Sequence, residues 1–221
     1  MLKDILDFCF PNYTCLVCGR ELNAPKNPYF CDKCAEEFFV NTEPLSIRNT
    51  KATQHFKTAH SAFVYAGDIT NLILRFKYNS EADIAEAVAP YMAAVAIKHK
   101  INADIIVPVP LSAKRFRTRG YNQALFLATE LGKYLSLPAV DNVLTRIKTT
   151  EAQKHMTVAE RTKNLDGAFE ISKQSPDMTG KRVLLVDDVF TSGSTANECA
   201  KVLRAAGVTR VDVLTIAAAV L

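Results

Sequence analysis

The residues with the most evident chemistry lie in the segment Val183–Thr195. Four apolar residues lead into two acids, Asp187 and Asp188, and then into a loop of small hydroxyl-bearing residues around one glycine, Gly193. Carboxylates accept hydrogen bonds from sugar hydroxyls, and a glycine allows the backbone to approach a ligand closely. A helical pattern follows the loop, and the N–H groups at the start of a helix attract phosphate. The segment therefore predicts a site for a ribose phosphate.

Two other interpretations of this segment remain open. Thr195 and Glu198 have the spacing of a capping box, which would only stabilise the start of a helix. An apolar strand that ends in two acids also occurs in Walker B nucleotide sites. However, the sequence contains neither the glycine-rich P-loop pattern nor the Gly-x-Gly-x-x-Gly pattern of dinucleotide sites. Their absence argues against a nucleotide site of either kind.

A second candidate anion site follows the apolar segment Ile105–Val109. Lys114, Arg115, Arg117 and Arg119 place four positive charges within six residues. An arginine can hold one phosphate through two parallel hydrogen bonds. The alternative is an ordinary solvated basic turn. Ligands of parallel sheets bind beyond the carboxyl ends of the strands, so the position of this cluster after a predicted strand favours anion binding.

Four of the six cysteines form two Cys-x-x-Cys pairs that are separated by twelve residues. These four are Cys15, Cys18, Cys31 and Cys34. The spacing is typical of a tetrahedral Zn²⁺ site, and a site with four thiolate ligands is closed and therefore structural. An iron–sulfur centre uses the same ligands and remains an alternative. Disulfide pairing is a third alternative, which a reducing compartment disfavours.

The elements that must position these residues alternate along the chain. Strands are predicted at 61–65, 105–109, 143–144, 183–186 and 211–216, and helices at 69–76, 84–98, 124–135 and 196–203. Such alternation predicts an α/β fold, with a parallel sheet flanked by helices. The polar stretch 41–57 separates this pattern from the cysteines. We therefore predict a zinc-binding module with its linker at 1–50 and a second domain at 51–221.

The net charge of +4 and the isoelectric point of about 8.7 suit a polyanionic small ligand and permit nucleic acid without requiring it. Asp4 and Asp7 interrupt the apolar character that a signal peptide needs. The longest apolar runs, 88–97 and 213–221, are too short to span a bilayer. We therefore expect a cytoplasmic protein that does not insert into a membrane.

Several motifs, in a fixed order, resemble those of the ComF family of competence-related phosphoribosyltransferase-like proteins. They are Pro108-Val-Pro-Leu-Ser112, Arg119-Gly-Tyr-Asn-Gln123, Gly167-Ala-Phe169 and Val183–Thr195, with the cysteine pairs in front. The last motif is also similar to the signature with which type I phosphoribosyltransferases bind 5-phosphoribosyl-1-diphosphate (PRPP). The resemblance implies a type I phosphoribosyltransferase fold that is preceded by a small zinc-ribbon-like module. The second half also resembles amidophosphoribosyltransferase, but the glutaminase domain of that enzyme is missing.

The resemblance also implies roles for individual residues. Asp187 and Asp188 would form the catalytic pair and hold the ribose. The 5′-phosphate would lie on the loop formed by Thr191, Ser192, Gly193, Ser194 and Thr195. The diphosphate would be bound by Leu111, Ser112 and Ala113, assisted by Lys77, Arg115 and Arg119. Mg²⁺ would accompany PRPP, and the polar segment from Arg146 to Asn164 would form a flexible hood.

Functions of different classes follow from this resemblance. An enzyme linked to DNA uptake in natural transformation would transfer the phosphoribosyl group to an acceptor that the sequence does not identify. A non-catalytic protein would instead sense PRPP or bind single-stranded DNA, with Phe116 and Tyr121 stacking against bases beside the Lys114–Arg119 cluster. One basic cluster cannot easily hold diphosphate and DNA at once. A third option is an adaptor that is tethered to a partner through its zinc module.

Overall fold

The computed structural model describes residues 14–22, 28–37, 53–79, 81–148 and 165–219, and a sheet lies at the centre of this part of the chain. The strands within it are β1 (Thr58–Val64), β2 (Ile105–Pro108), β3 (Leu144–Arg146), β4 (Phe169–Ile171), β5 (Arg182–Phe190) and β6 (Arg210–Ala218). Four of them form a sheet in the order β1-β6-β5-β2, in which every neighbouring pair is parallel. β3 and β4 form a separate antiparallel pair.

Helices cover both faces of the sheet. The described helices are α1 (Asp32–Glu37), α2 (Gly67–Tyr78), α3 (Asp83–Lys98), α4 (Ala113–Arg119), α5 (Gln123–Leu135) and α6 (Ser194–Ala205), of which α2, α3, α5 and α6 pack against the sheet. Alternate residues of a strand face opposite sides, and β5 shows this directly. Leu184 and Val186 pack in a cluster with α2, α3 and α5, whereas Val183 and Leu185 pack in a second cluster with α6. This burial on both faces confirms the predicted α/β fold with a parallel sheet flanked by helices.

The predicted elements are present; α1 was not predicted, and the other differences concern β5, α4 and β4. β5 continues through both acids to Phe190, because its backbone stays paired with β6 as far as Ala218. α4 was predicted only as a basic segment, and β4 was not predicted. The prediction that α6 ends before Gly207 is confirmed, since that glycine has a φ of +88° and lies against Thr179, where a Cβ would come within 3.2 Å.

The second part of the predicted hood, residues 149–164, lies outside the described residues, as does most of the linker 41–57. None of the described helices is long and apolar enough to cross a lipid bilayer. The proposed boundary between 1–50 and 51–221 also falls at residues that the structure does not describe. However, β1 begins at Thr58 and pairs with β6, so the chain has entered the central sheet by this residue.

Candidate functional site

A cavity of about 210 Å³ opens at the carboxyl edge of the sheet, where β1, β2 and β5 end. Its lining combines two acids, four cations, two threonine hydroxyls and a tyrosine with a short apolar stretch. The residues are Tyr65, Lys77, Val109, Pro110, Leu111, Arg115, Arg119, Arg146, Asp187, Asp188, Val189, Thr191 and Thr195. Ligands of open α/β sheets bind at this edge. The two segments that the sequence singled out therefore meet in one place.

The acid pair lies on the last part of β5. Lys77, at the end of α2, places its Nζ 3.0 Å from Asp188 Oδ1. The backbone N–H of Asp188 donates a hydrogen bond of 2.8 Å to Asp187 Oδ1. One carboxylate is thus held by a cation and the other by the backbone, so that both are oriented before any ligand arrives.

The two carboxyl groups differ in their electrostatic surroundings. Burial, together with the negative charge of Asp188, raises the pKa of Asp187 to about 7. The backbone N–H of Asp188 and the positive charges of Lys77 and Arg115 act in the opposite direction and limit the rise. The charge of Asp187 therefore changes close to neutral pH.

The predicted phosphate loop connects β5 to α6. Gly193 is the N-cap residue and has a φ of 77°, a conformation that glycine adopts without strain. Thr191 and Thr195 line the cavity. Ser192 and Ser194 are buried, with their hydroxyl oxygens 2.9 Å apart, so they shape the loop rather than face the cavity. The first turn of a twelve-residue helix therefore begins at the cavity, as phosphate binding requires.

The capping-box interpretation is wrong. α6 begins at Ser194, so Thr195 lies inside the first turn and is not the N-cap residue. Glu198 accepts a hydrogen bond of 3.0 Å from the backbone N–H of Gly167 and lies 3.5 Å from Lys201 Nζ. This glutamate therefore holds the chain that returns toward β4, and it does not cap its own helix.

The basic segment forms the short helix α4. Ser112 is its N-cap, and the Ser112 Oγ accepts a hydrogen bond from the backbone N–H of Arg115. The predicted diphosphate residue Leu111 lines the cavity, whereas Ser112 is buried under the helix start and Ala113 is exposed. Arg115 and Arg119, one turn apart, both line the cavity. The helical conformation of this segment therefore places two of its four cations in the cavity lining.

The remaining residues of α4 have a different environment. Lys114, Phe116 and Arg117 are exposed and do not line the cavity. Tyr121 was predicted to stack against bases. It instead packs edge-on against Phe126, and its hydroxyl donates a hydrogen bond to the backbone carbonyl of Phe76 in α2. The predicted basic cluster is therefore divided into an inward pair and an outward group.

Two polar lining residues, Arg146 and Tyr65, were not assigned to the site from the sequence. Arg146 had been placed in the hood, but it lies at the end of β3 beside the cavity, 5.3 Å above the ring of Phe169. Burial and the nearby charge of Arg115 lower the pKa of the Arg146 guanidinium. Tyr65 follows β1 directly. Both residues could have been predicted from their position, because each stands at the carboxyl end of a predicted strand, where ligands of such sheets bind.

The four cysteines lie together, with every pair of Sγ atoms within 4.8 Å and the Sγ atoms of Cys18 and Cys31 3.8 Å apart. A tetrahedron with Zn–S bonds of about 2.3 Å has S–S edges of about 3.8 Å. None of the four forms a disulfide in this structure. Burial acts to raise the pKa of Cys15, but hydrogen bonds from neighbouring backbone N–H groups lower it, whereas burial and the other three thiols raise the pKa of Cys34. The residues therefore fit a closed metal site, and zinc and iron share this ligand set.

A second cavity, of about 390 Å³, lies at the amino ends of β1 and β6. Lys57, Arg204 and Arg210 contribute to its lining, which contains no carboxylate among its described residues. It lies at the edge of the sheet opposite the acid pair, so substitution of its cations changes the net charge without touching the first cavity.

Residues 82–220 match the phosphoribosyl transferase domain family. The chain is 37% identical over 223 residues to Competence protein F of Haemophilus influenzae, covering 92% of this chain and 96% of that protein. It is 30% identical over 204 residues to the DNA utilization protein YhgH of Salmonella typhimurium, covering 90% and 87% of the two chains. Among solved structures, glutamine PRPP amidotransferase from B. subtilis matches with a TM-score of 0.43 and 20% identity, covering 64% of this chain and 30% of that one.

The family match and the parallel sheet together confirm the predicted type I phosphoribosyltransferase fold. The four clustered thiols in front of this domain agree with the predicted order of the two parts. The chain therefore belongs to the ComF family, whose members carry a phosphoribosyl transferase domain.

Proposed function

We propose that the cavity binds PRPP together with Mg²⁺ and that the protein transfers the phosphoribosyl group to an acceptor, releasing diphosphate. The observation that carries this proposal is the division of charge in the cavity. Asp187 and Asp188 lie on β5, while Lys77, Arg115, Arg119 and Arg146 reach the cavity from other elements. A ligand with sugar hydroxyls at its centre and phosphates at both ends matches this pattern.

Each part of PRPP has a proposed partner. Asp187 and Asp188 accept hydrogen bonds from the ribose hydroxyls and form the catalytic pair. The 5′-phosphate lies on the loop of Thr191, Ser192, Gly193, Ser194 and Thr195, where the α6 dipole favours negative charge. The diphosphate lies along Leu111, Ser112 and Ala113 and is neutralised by Lys77, Arg115 and Arg119.

In the proposed reaction, the bond between ribose C1 and the diphosphate oxygen breaks and the acceptor forms a new bond at C1. Positive charge develops on the ribose and negative charge on the leaving diphosphate. Bound Mg²⁺ supplies Lewis-acid neutralisation of the phosphate oxygens. The cations at the cavity stabilise the departing negative charge, and the acid pair stabilises the positive charge at the ribose.

Calorimetric titration of Mg²⁺ and PRPP tests the binding step. We expect a saturable heat with the wild-type protein that is lost in Asp187→Asn/Asp188→Asn. Asp141→Asn/Asp177→Asn removes the same amount of charge at two exposed positions that do not line the cavity, and this control should bind like the wild type. If the wild type gives no binding heat, PRPP is not its ligand.

A second measurement separates an enzyme from a PRPP sensor. Diphosphate release is followed during incubation with PRPP and a panel of nucleobases and amines. Release that depends on one acceptor class supports transfer. Binding without release for any acceptor supports the alternative, a non-catalytic PRPP-sensing protein.

Single-stranded DNA binding, linked to DNA uptake, is a second candidate function. The outward side of α4 favours it, because exposed Lys114 and Arg117 flank Phe116, whose exposed fraction is 51%. Cations that contact the backbone beside an aromatic ring on which bases stack are typical of single-strand binding. The names of the relatives, Competence protein F and DNA utilization protein, point in the same direction. Because Arg115 and Arg119 turn inward, this surface does not compete with the diphosphate for the same side chains.

Fluorescence anisotropy with a labelled oligonucleotide tests this candidate over a range of salt concentrations. Lys114→Ala/Arg117→Ala should weaken binding and reduce the dependence of log K on log salt concentration by about 1.4, about 0.7 for each lost phosphate contact. Lys57→Ala/Arg204→Ala removes the same charge at the opposite edge of the sheet. Equal effects of the two double variants would indicate non-specific attraction and contradict a site on α4.

We further propose that residues 1–50 form a zinc module with its linker and that residues 51–221 form the phosphoribosyltransferase-like domain. The four adjacent thiols support the module, and metal ligation by thiolates is typical of the reducing cytoplasm, where we place the protein. Metal analysis of the purified protein should give one Zn²⁺ per chain, and an iron–sulfur absorption spectrum would contradict zinc. Limited proteolysis should cut first within the predicted linker 41–57, and a first cut elsewhere would contradict the division.

A further inference from the structure

We propose that Arg75 is a positioning residue through which the four-cysteine module sets Lys77 in the PRPP cavity. The proposal rests on the function proposed above for that cavity. It assigns the module a role beyond its own folding, since occupancy of the cysteine site would then adjust the affinity for PRPP.

Arg75 connects the cysteine module to α2. One guanidinium nitrogen donates a hydrogen bond to the backbone carbonyl of Leu16, which lies between Cys15 and Cys18 in the first cysteine pair. The Nε atom donates a hydrogen bond of 3.0 Å to Glu81, and the remaining nitrogen pairs with the other oxygen of that carboxylate. The side chain is therefore fixed by three hydrogen bonds, and one of its partners belongs to the cysteine turn.

The position of the Leu16 carbonyl depends on the module. Leu16 lies in the turn that follows Cys15, and its N–H donates a hydrogen bond of 2.8 Å to the Tyr29 carbonyl, in the half of the module that carries the second cysteine pair. A segment of this size cannot bury enough apolar surface to hold such a turn by itself. Metal binding at four thiolates supplies the missing free energy. Removal of the metal therefore releases the acceptor that orients Arg75.

The last turn of α2 transmits this position to the cavity. Phe76 is fully buried, and its carbonyl accepts hydrogen bonds from Tyr121 and Gln123. Lys77 follows, with its Nζ 3.0 Å from Asp188 Oδ1. Tyr78 then carries the guanidinium of Arg119 at 5.2 Å from its ring centre. Consecutive residues thus contact the module, the core, the acid pair and the inward face of α4, so a shift of this turn cannot leave the cavity unchanged.

α2 ends at Tyr78, and the match to the phosphoribosyl transferase domain family begins at residue 82. The cation on Asp188 is therefore supplied by a segment that precedes the matched domain. The cysteine module packs against this segment, with Phe30 in the same core cluster as Phe76. This placement explains why a closed metal site would be maintained in front of the domain.

The binding experiment compares two arginines in similar environments. In Arg75–Glu81 the side chains are 36% and 29% exposed, and in Arg182–Asp104 they are 38% and 32% exposed, with two guanidinium nitrogens on one carboxylate in both pairs. Arg182 begins β5 at the amino edge, away from the cavity. We expect Arg75→Gln to weaken binding of Mg²⁺ and PRPP about tenfold, a coupling of ordinary size between sites. Arg182→Gln should leave the affinity unchanged.

A double-mutant cycle shows whether Arg75 acts through Lys77. Lys77→Met alone should weaken PRPP binding, and the addition of Arg75→Gln should then cost little more. Arg75→Lys keeps the charge but can bind only one of the two partners, Glu81 or the Leu16 carbonyl, so it should give an intermediate affinity. This variant replaces Arg75→Gln in the experiment if Arg75→Gln does not fold. Since the charge of Lys77 lowers the pKa of Asp187, Arg75→Gln should also move the pH dependence of binding to higher pH. Loss of general stability alone would not shift that midpoint.

Hydrogen exchange tests the positioning without PRPP. In the wild type, removal of the metal with a chelator should increase amide exchange in residues 74–79. In Arg75→Gln, exchange there should already be raised with the metal bound. If wild-type exchange in this turn is unchanged by the chelator, or if Arg75→Gln and Lys77→Met are additive, the positioning role is refuted. If the wild type binds no PRPP but the exchange behaves as expected, the proposed ligand is wrong and the positioning role stands.

Discussion

Acidification from pH 8 to pH 6.5 should weaken binding of Mg²⁺ and PRPP about fourfold, because Asp187 becomes protonated over this range. The pKa of Asp187 is raised to about 7 by burial and by the charge of Asp188. The ionised fraction then falls from about 0.9 to about 0.24. A protonated carboxyl group cannot accept the same hydrogen bonds from the ribose hydroxyls. An ordinary aspartate, with a pKa of about 3.9, would remain ionised throughout and would give no change.

The neighbours of Asp187 set the direction of further shifts. Asp188 on β5 raises its pKa, while Lys77 on α2 and Arg115 on α4 lower it. Cys199 of α6, which is buried, and Arg146 beside the cavity also interact electrostatically with Asp187. Lys77→Met should therefore raise the pKa of Asp187 further, so that its affinity is still increasing at pH 8, where the wild type is nearly at its maximum.

Calorimetry at four pH values between 6.5 and 8 measures the effect. The second ionisation of a phosphate ester, near pH 6, changes the ligand as well. Inorganic diphosphate carries phosphate groups but no ribose, so its titration reports the contribution of phosphate protonation. After this reference is subtracted, the loss of affinity should remain in the wild type and vanish in Asp187→Asn. A flat profile, or affinity that increases toward acid pH, would show that an ionised Asp187 does not hold the ribose.

Three further predictions concern the stability of the fold. Burial lowers the pKa of His60 to about 4, so its neutral form stabilises the protein above the unfolded pKa of about 6.5, and stability is lost as the pH falls below that value. Urea unfolding should show about 2 kcal/mol more loss between pH 7.5 and pH 5 in the wild type than in His60→Phe. Gly132→Ala should destabilise the protein by about 1–3 kcal/mol, although alanine normally favours a helix, because the new Cβ would lie 2.6 Å from the Leu137 carbonyl oxygen. Asp212→Ala should cost about 3 kcal/mol in thermal unfolding, since it removes a buried carboxylate that pairs with Arg210 at 2.6 Å; a change below 0.5 kcal/mol would contradict that pairing.

The main strands and longer helices could be predicted from sequence because their apolar periods are strong. α4 could not be predicted in this way, because none of its seven residues is buried and it has no apolar face. Its ends did carry a local signal, since Ser112 is an N-cap residue and Gly120 adopts the left-handed C-cap conformation. β5 was predicted too short for a related reason. The acids end its apolar pattern, while its backbone pairing with β6 continues to Phe190.

The loop and the acid pair of the site could be predicted, because their residues are consecutive in sequence. The cations were harder to assign. Lys77 precedes Asp188 by more than one hundred residues, and only the resemblance to a family connected them. The division of the basic cluster could not be predicted either, because it depends on the direction in which each turn of α4 faces. Arg115 and Arg119 face the cavity only because Ser112 starts the helix at that point.

The balance of charge also explains why PRPP should bind with Mg²⁺ rather than alone. Four cationic and two acidic side chains give the cavity a net charge of +2 when both acids are ionised. Lys77 and Arg115 lower the pKa of Asp187. The same two cations are the proposed partners of the diphosphate. Once phosphates neutralise these cations, the acid pair loses its compensation and protonation becomes easier. Mg²⁺ bound together with the ligand would add positive charge near Asp187 and Asp188. The two acids can then remain ionised and hold the ribose.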